Sequence, residues 1–209
     1  MTKTSLPLES RWMRIAHRLV VATMAYNAIE AGVALASGIV AHSIALVGFG
    51  LDSVIELAAA AVLLWRLRLE RAGADEETVA QRERWVHLFV GVTFLLLAAY
   101  VGFEAIWTLR NHEAAAESIV GIILAAASLV LMPLIAWGKL RAATEIGSGA
   151  LRAEAKETLA CSYLSFTLLL GLVCNAAAGW WWADPLAALL MVPWLVREGI
   201  EGIRGEDDE

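Results

Sequence analysis

Six stretches of this chain are apolar over about 20 residues each, near 18–40, 43–65, 86–109, 118–138, 150–176 and 184–203. Each is long enough to cross a bilayer as a helix. The connections between them are mostly short. Gly38–His42 predicts a tight turn, and Asp184-Pro185 predicts the start of the last helix, with Asp184 as N-cap and Pro185 at the first helical position. The long connection, 66–84, carries Asp75-Glu76-Glu77 and then a mixed-charge helical pattern, and predicts a solvated helical hairpin. A regulatory metal site there would draw on Asp75, Glu76, Glu77 or His87. The expected fold is an all-α integral membrane protein of six transmembrane helices. Its parts are a cytoplasmic N-terminal arm (1–17), a membrane domain (18–203) and a short acidic cytoplasmic tail (204–209). No cleavable signal pattern and no second folded domain are expected.

Composition supports the membrane reading. The 209 residues are 59% apolar, with a mean hydropathy of +0.65, too high for a soluble domain of this size. The net charge of −6 says little about partners, and nucleic acid is not expected among them. Lys3, Arg11, Arg14 and Arg18 precede the first span, and Arg66, Arg68, Arg71, Arg82 and Arg84 lie between the second and third. Lys139 and Arg141 fall between the fourth and fifth, and Arg197 and Arg204 close the sixth, while the opposite side has only Arg110. The positive-inside rule then places both termini in the cytoplasm, and the expected location is a bacterial-type inner (plasma) membrane. Trp12, Trp65, Trp85 and Trp137 mark one boundary, and Trp107 and Trp180–Trp182 mark the other, as an aromatic belt would. Cys161 and Cys174 are too far apart around one helix to pair within it, so no disulfide framework is implied.

Polar residues inside the spans change the picture. Asp52 and Glu56 sit four apart in the second span, and Glu157 and Cys161 sit four apart in the fifth. That spacing puts each pair on one helix face. Offsetting the chain by 105 positions matches Ser43 to Ser148, Ala45 to Ala150, Leu46 to Leu151, Asp52 to Glu157, Ser53 to Thr158 and Glu56 to Cys161. With three spans per copy, the second copy is inserted upside down. Two inverted three-helix repeats with a site near the midplane are a transporter signature. Chance similarity among alanine-rich segments is the competing account.

An acid in a bilayer costs roughly 2.5–3.5 kcal/mol and is presumed functional. Three carboxylates and a thiol supply four ligands, a set that suits Zn²⁺ in a tetrahedron. The thiolate favours Zn²⁺ or Cd²⁺ over Mg²⁺ or Ca²⁺, and the three hard oxygens leave Mn²⁺, Fe²⁺ and Co²⁺ open. Without metal, three acids in one low-dielectric site do not all ionise. Metal binding requires deprotonated ligands and so expels protons. A site alternating between the two cargoes is a metal/proton antiporter. The competing account has the acids pairing with Arg152 or Lys156 to hold helices together. Asn27 and Glu30, three apart on one face of the first span, and Glu154, near the second pair, are candidates for an auxiliary or proton-coupling role.

The motifs Ser43-x-Ala-Leu…Asp52-Ser-x-x-Glu56, Ala150-Leu-x-Ala…Glu157-x-x-x-Cys161 and Asp184-Pro185-x-Ala187 resemble the cation diffusion facilitator family of divalent-metal transporters. The resemblance covers about residues 15–203. It implies that Asp52 and Glu56, with Glu157 and Cys161, bind one transported ion. It implies further that the protein is a homodimeric exporter exchanging zinc or a similar ion for protons. Both span-five positions depart from the family's usual His and Asp, which bears on metal preference. The family usually carries a cytosolic metal-binding domain after the sixth span. This chain is expected to be a short form lacking it, so that a homodimer would form through membrane helices. The expected function is therefore a secondary transporter exporting a divalent transition metal, Zn²⁺ first, by proton antiport, with no permanent cofactor. The alternatives are an intramembrane metal-dependent enzyme, for which no His-Glu-x-x-His motif is present, and a non-transporting membrane scaffold.

Overall fold

The computed structural model describes residues 6–71 and 76–204, with the side chains at 6–10, 63, 66–71, 76–87 and 150 left outside the description. The loop candidates Asp75, Glu76, Glu77 and His87, the basic residues Lys3, Arg66, Arg68, Arg71, Arg82 and Arg84, the side chain of Trp85 and the tail 205–209 therefore lie outside the described residues. The element order is α1 (Leu6–Ala41), α2 (Ile44–Arg71), α3 (Glu76–Asn111), α4 (Ile119–Ile146), α5 (Gly149–Ala178) and α6 (Ala183–Arg204), with no strand among the described residues.

The helices outrun the apolar stretches. No glycine or proline interrupts 8–31, so α1 starts well before its apolar run. Among the described residues five helices are long and apolar enough to cross a membrane, α1 to α5. The sixth stretch differs from the expectation. Asp184, Arg197, Glu198, Glu201 and Arg204 make α6 too polar to qualify on composition. It is nonetheless a full partner in the bundle, packed along α3 and against α5 and α2.

The packing is paired. α1 lies on α2 as α4 lies on α5, α2 meets α3 as α5 meets α6, and α1 on α4 and α3 on α6 close the bundle. Hydrogen bonds fix which ends meet. At one end Asn175 of α5 donates through Nδ2 to the Ala115 carbonyl at 2.9 Å, and the Ala116 N–H donates to the Ala41 carbonyl of α1 at 2.8 Å. At the same end Asp184 of α6 accepts from the Ser43 hydroxyl and from the Ile44 N–H at the start of α2. The opposite end is sealed by Ala16, Val20, Ala142, Ala143 and Leu151, with Trp12 and Leu64 against them. α2 and α5 are thus antiparallel, each starting where the other finishes. Their starts share one device: the Ser43 hydroxyl accepts from the Leu46 N–H at 3.1 Å, and the Ser148 hydroxyl from the Leu151 N–H at 3.2 Å. The serines matched in the sequence are helix caps at opposite ends of the bundle.

Two expectations are corrected here. Asp184 does not serve the start of its own helix. It is wholly buried and caps α2 across 141 positions of sequence. Sequence adjacency favours the local reading, but the fold brings the first turn of α6 against the first turn of α2. Lys139 is not a boundary charge either. α4 continues to Ile146, so Lys139 lies inside it, fully buried.

The aromatic girdles separate as expected. Trp12 and Trp137 flank the Arg141 guanidinium at 5.7 and 5.8 Å at one end. Trp180 stacks on Trp182, and Trp181 meets His112, at the other.

α3 and α6 approach each other backbone to backbone at Gly91. A Cβ on Gly91 would stand 2.8 Å from the Gly199 carbonyl oxygen and 2.8 Å from the Ile203 nitrogen, both backbone atoms that cannot turn aside. A Cβ on Gly102 of the same helix would meet only Val192, at 3.7 Å. Gly91→Ala should therefore destabilise the protein by about 1–3 kcal/mol, the usual cost of overpacking. Gly102→Ala should be neutral or gain up to about 1 kcal/mol of helix propensity. Thermal unfolding of both variants in detergent checks the contrast.

Candidate metal-binding site

The middle of the bundle is filled by large apolar side chains. Phe49, Leu46, Met132, Leu164, Leu168 and Leu195 are all wholly or almost wholly buried. Within that core α2 presents Asp52 and, one turn later, Glu56. α5 presents Cys161, which is free and wholly buried. The carboxylates of Asp52 and Glu56 and the Cys161 sulfur place ligand atoms within 4.8 Å of one another. Two donors in a tetrahedron around one zinc ion stand about 3.4–3.6 Å apart, from Zn–O and Zn–S lengths of about 2.1 and 2.3 Å. The three lie within about 1.4 Å of the spacing that one ion imposes.

Glu157 stands apart from this group. It is exposed on the surface of the single chain, one turn from Cys161 towards the start of α5. It faces the same cleft as Asp52 and Glu56, and Ala59, Phe94, Ala160, Trp194 and Glu198 complete the lining. The cleft gives about 10 Å³ to the centre of a water-sized sphere, room for one small body. The sequence-predicted quartet therefore divides into an inner three and an outer acid.

α1 supplies the flank. Asn27 donates through Nδ2 to Glu56 Oε2 at 2.8 Å, which orients that carboxylate. Glu30 does not join the inner group. Wholly buried, it accepts from Ser53 Oγ at 2.9 Å and from the Ser128 hydroxyl, and Tyr26 bonds Ser128 in turn at 2.8 Å. This network ties α1 to α2 and α4 beside Asp52. Glu154 faces elsewhere: Lys139 Nζ donates to its Oε1 at 2.6 Å and to Thr158 Oγ1 at 2.9 Å. Lys156 and Arg152, the competing ion-pair partners, are exposed.

Buried polar atoms are normally hydrogen-bonded, and exceptions call for an account. Asp52 Oδ2 is buried without a partner among the described residues. Asp52 is 3% exposed, so water does not freely satisfy it. A cation between Asp52, Glu56 and Cys161 would supply what this oxygen lacks. The donor set of two carboxylate oxygens and a thiol fits a borderline divalent ion.

Reading by sequence missed Lys139, Ser128, Trp194 and Glu198. Glu198 was legible in part. It is an acid four residues after Trp194, on one face of α6. Lys139 and Ser128 gave no local signal, because their partners are 15 and 98 residues away.

Comparison with known proteins bears on the same residues. The cation efflux transmembrane domain matches this chain over residues 20–204. An uncharacterized transporter of Synechocystis sp. (strain ATCC 27184 / PCC 6803 / Kazusa) is 28% identical over 179 residues, which cover 84% of this chain and 58% of the relative. The chain thus spans less than two thirds of that relative's length.

Proposed function

This chain belongs to the cation efflux (cation diffusion facilitator) family, and from that premise we propose that it is a membrane transporter of a divalent transition-metal ion. The ion is held by Asp52, Glu56 and Cys161, and Glu157 serves it at the mouth of the same cleft rather than in the inner group. Zn²⁺ is the first choice, with Cd²⁺, Co²⁺, Mn²⁺ and Fe²⁺ as further substrates. Transport runs out of the cytoplasm against protons, and the working unit is a homodimer joined through membrane helices. The observation that carries this reading is the convergence of α2 and α5. They bring three ligand atoms within 4.8 Å around a buried carboxylate oxygen that has no hydrogen-bond partner among the described residues.

The chemistry of the chain's own residues supports exchange. Without a metal, the inner acids face one another, and the Lys139 ammonium is hydrogen-bonded to Glu154 and Thr158. Protons and a divalent ion are then alternative occupants that neutralise the same oxygens. Asn27 holds Glu56 in place for either one.

The test is flux of Zn²⁺, Cd²⁺, Co²⁺, Mn²⁺ and Fe²⁺ into liposomes carrying the purified chain, with and without a pH gradient. Gradient-driven uptake of any of these ions supports the reading. No flux of any ion from folded protein in either orientation sinks it. Selectivity gives a sharper result. Cys161→Ser replaces the soft donor by a hard one. Uptake of Cd²⁺ should fall at least about tenfold relative to Mn²⁺, measured in the same liposomes, because the ligand that favours cadmium has gone.

A further inference from the structure

We infer that Asn27 of α1 gives the inner group its fourth donor, its side-chain amide oxygen Oδ1 binding the same ion as Asp52, Glu56 and Cys161. The inference rests on the transport reading above and deepens it, adding a third helix to the ion's binding site.

The inner group is one donor short of a tetrahedron. Asp52, Glu56 and Cys161 converge, while Glu157 stands outside them at the mouth. Asn27 is already at the group, because its Nδ2 donates to Glu56 Oε2 at 2.8 Å. The oxygen and nitrogen of one amide stand about 2.2 Å apart, so Oδ1 lies within about 5 Å of Glu56 Oε2. That reach is close to the 4.8 Å spanned by the other three donors.

A second observation points to a ligand at this atom. Asn27 is 2% exposed, and its Oδ1 is buried with no hydrogen-bond partner among the described residues. Leaving a buried acceptor unsatisfied is unfavourable, so the atom calls for an account. Its polar neighbours on α1 are turned to other partners. The Thr23 hydroxyl donates to the Leu19 carbonyl at 2.9 Å, and the Tyr26 hydroxyl bonds Ser128 at 2.8 Å. A cation would satisfy Oδ1 and leave the N–H on Glu56 in place, since an amide accepts through its oxygen and donates through its nitrogen at once. Glu30, also buried on α1, is not the fourth donor. Both of its oxygens already accept from hydroxyls, Oε2 from Ser53 and Oε1 from Ser128.

Charge favours an amide here over a further acid. Two carboxylates and a thiolate carry three negative charges against the two of a divalent ion. A neutral fourth donor leaves the buried complex with one net charge, whereas a fourth anion would leave two. Uncompensated charge is disfavoured in a low-dielectric interior, so the neutral donor fits better.

The experiment is a titration of the purified full chain in detergent with Co²⁺ at fixed pH. The thiolate-to-cobalt absorption reports Cys161, and the d–d bands report the number and type of donors. Asn27→Leu keeps the volume and removes both ends of the amide, whereas Asn27→Asp keeps an oxygen and removes the N–H. Asn27→Leu should bind Co²⁺ at least about tenfold more weakly than wild type, no less than the loss of a partner that only orients a ligand. At saturation it should keep the thiolate band and shift the d–d bands. Asn27→Asp should recover most of the affinity, because an oxygen is what the ion meets. An Asn27→Leu variant with wild-type affinity and d–d bands overturns the inference. So does an Asn27→Asp variant that binds as weakly as Asn27→Leu, which would make Asn27 a positioning residue acting on Glu56 through its N–H. If Asn27→Leu does not fold, Asn27→Asp decides alone: affinity near wild type supports the inference, and a tenfold loss overturns it. A thiolate band in wild type leaves the inner group standing whatever the variants show. Its absence overturns the inner group, and this inference with it.

Discussion

Asp52→Asn should reduce metal flux to the level of protein-free liposomes. The substitution keeps the shape of the side chain and removes its charge. Asp52 is the inner acid whose Oδ2 is buried without a partner among the described residues, and its other neighbours in the group are Glu56 and Cys161. With a neutral amide there, the ion loses one of three close ligands and a full unit of compensating charge. Affinity should fall by at least about a hundredfold, since losing even a partner that merely orients a ligand costs about 10–100-fold. Equilibrium dialysis with Zn²⁺ measures this directly, and flux measures its consequence. The sign of the pH effect follows from the chemistry of exchange. Ligands must be deprotonated to bind, so wild-type affinity should rise with pH while protons are released. Asp52→Asn removes one titrating ligand and should make that dependence shallower. Flux in Asp52→Asn equal to wild type would sink the inner group as the transport site. Affinity that does not change with pH would sink proton exchange and leave metal binding standing.

Lys139→Met should be the most destabilising single change outside the site. The Lys139 ammonium is 0% exposed and lies 2.6 Å from a Glu154 carboxylate that is 9% exposed. Its other contact is the Thr158 hydroxyl, one residue after Glu157. Removing the lysine leaves Glu154 as a buried acid with no cation, and breaking such a pair from one side costs about 3–5 kcal/mol. Replacing both partners by apolar side chains of similar size is often neutral or better. Thermal unfolding in detergent should therefore show a large loss for Lys139→Met. Most of that loss should be recovered in Lys139→Met/Glu154→Met. A double variant as unstable as the single one would show that the lysine acts through packing or through Thr158, and not through its charge. Zn²⁺ binding by the double variant separates stability from function, because neither residue lines the cleft.

Several features of this protein are legible without a fold. The i, i+4 spacing of Asp52 and Glu56 is a property of one helix, so two acids on one face of α2 follow from the sequence alone. The same holds for the serines that start α2 and α5, since a cap bonds an N–H only three residues away. The offset between the two runs also anticipates antiparallel copies, and α2 and α5 pack that way. Asp184 shows where local reading stops. Its position before a proline resembles an N-cap, yet its oxygens reach the start of α2, a contact fixed by how two distant helix ends meet.

The candidate ligand types and the helix count were thus set by short-range pattern: apolar run length, helical spacing and residue type. What only the tertiary structure decided is which ligands share one ion's reach. Glu157 and Cys161 are one turn apart on α5, which separates them by about 6 Å along the axis and about 40° around it. The depth and rotation of α5 against α2 then bring Cys161 into the inner group and leave Glu157 at the mouth. The same packing buries Lys139 against Glu154 and turns Glu198 into the cleft. No local pattern encodes these placements, because they depend on how apolar faces of separate helices interlock. The close approach of α3 to α6 at Gly91 and Gly199 is one such fit, and it helps set where α6 carries Glu198.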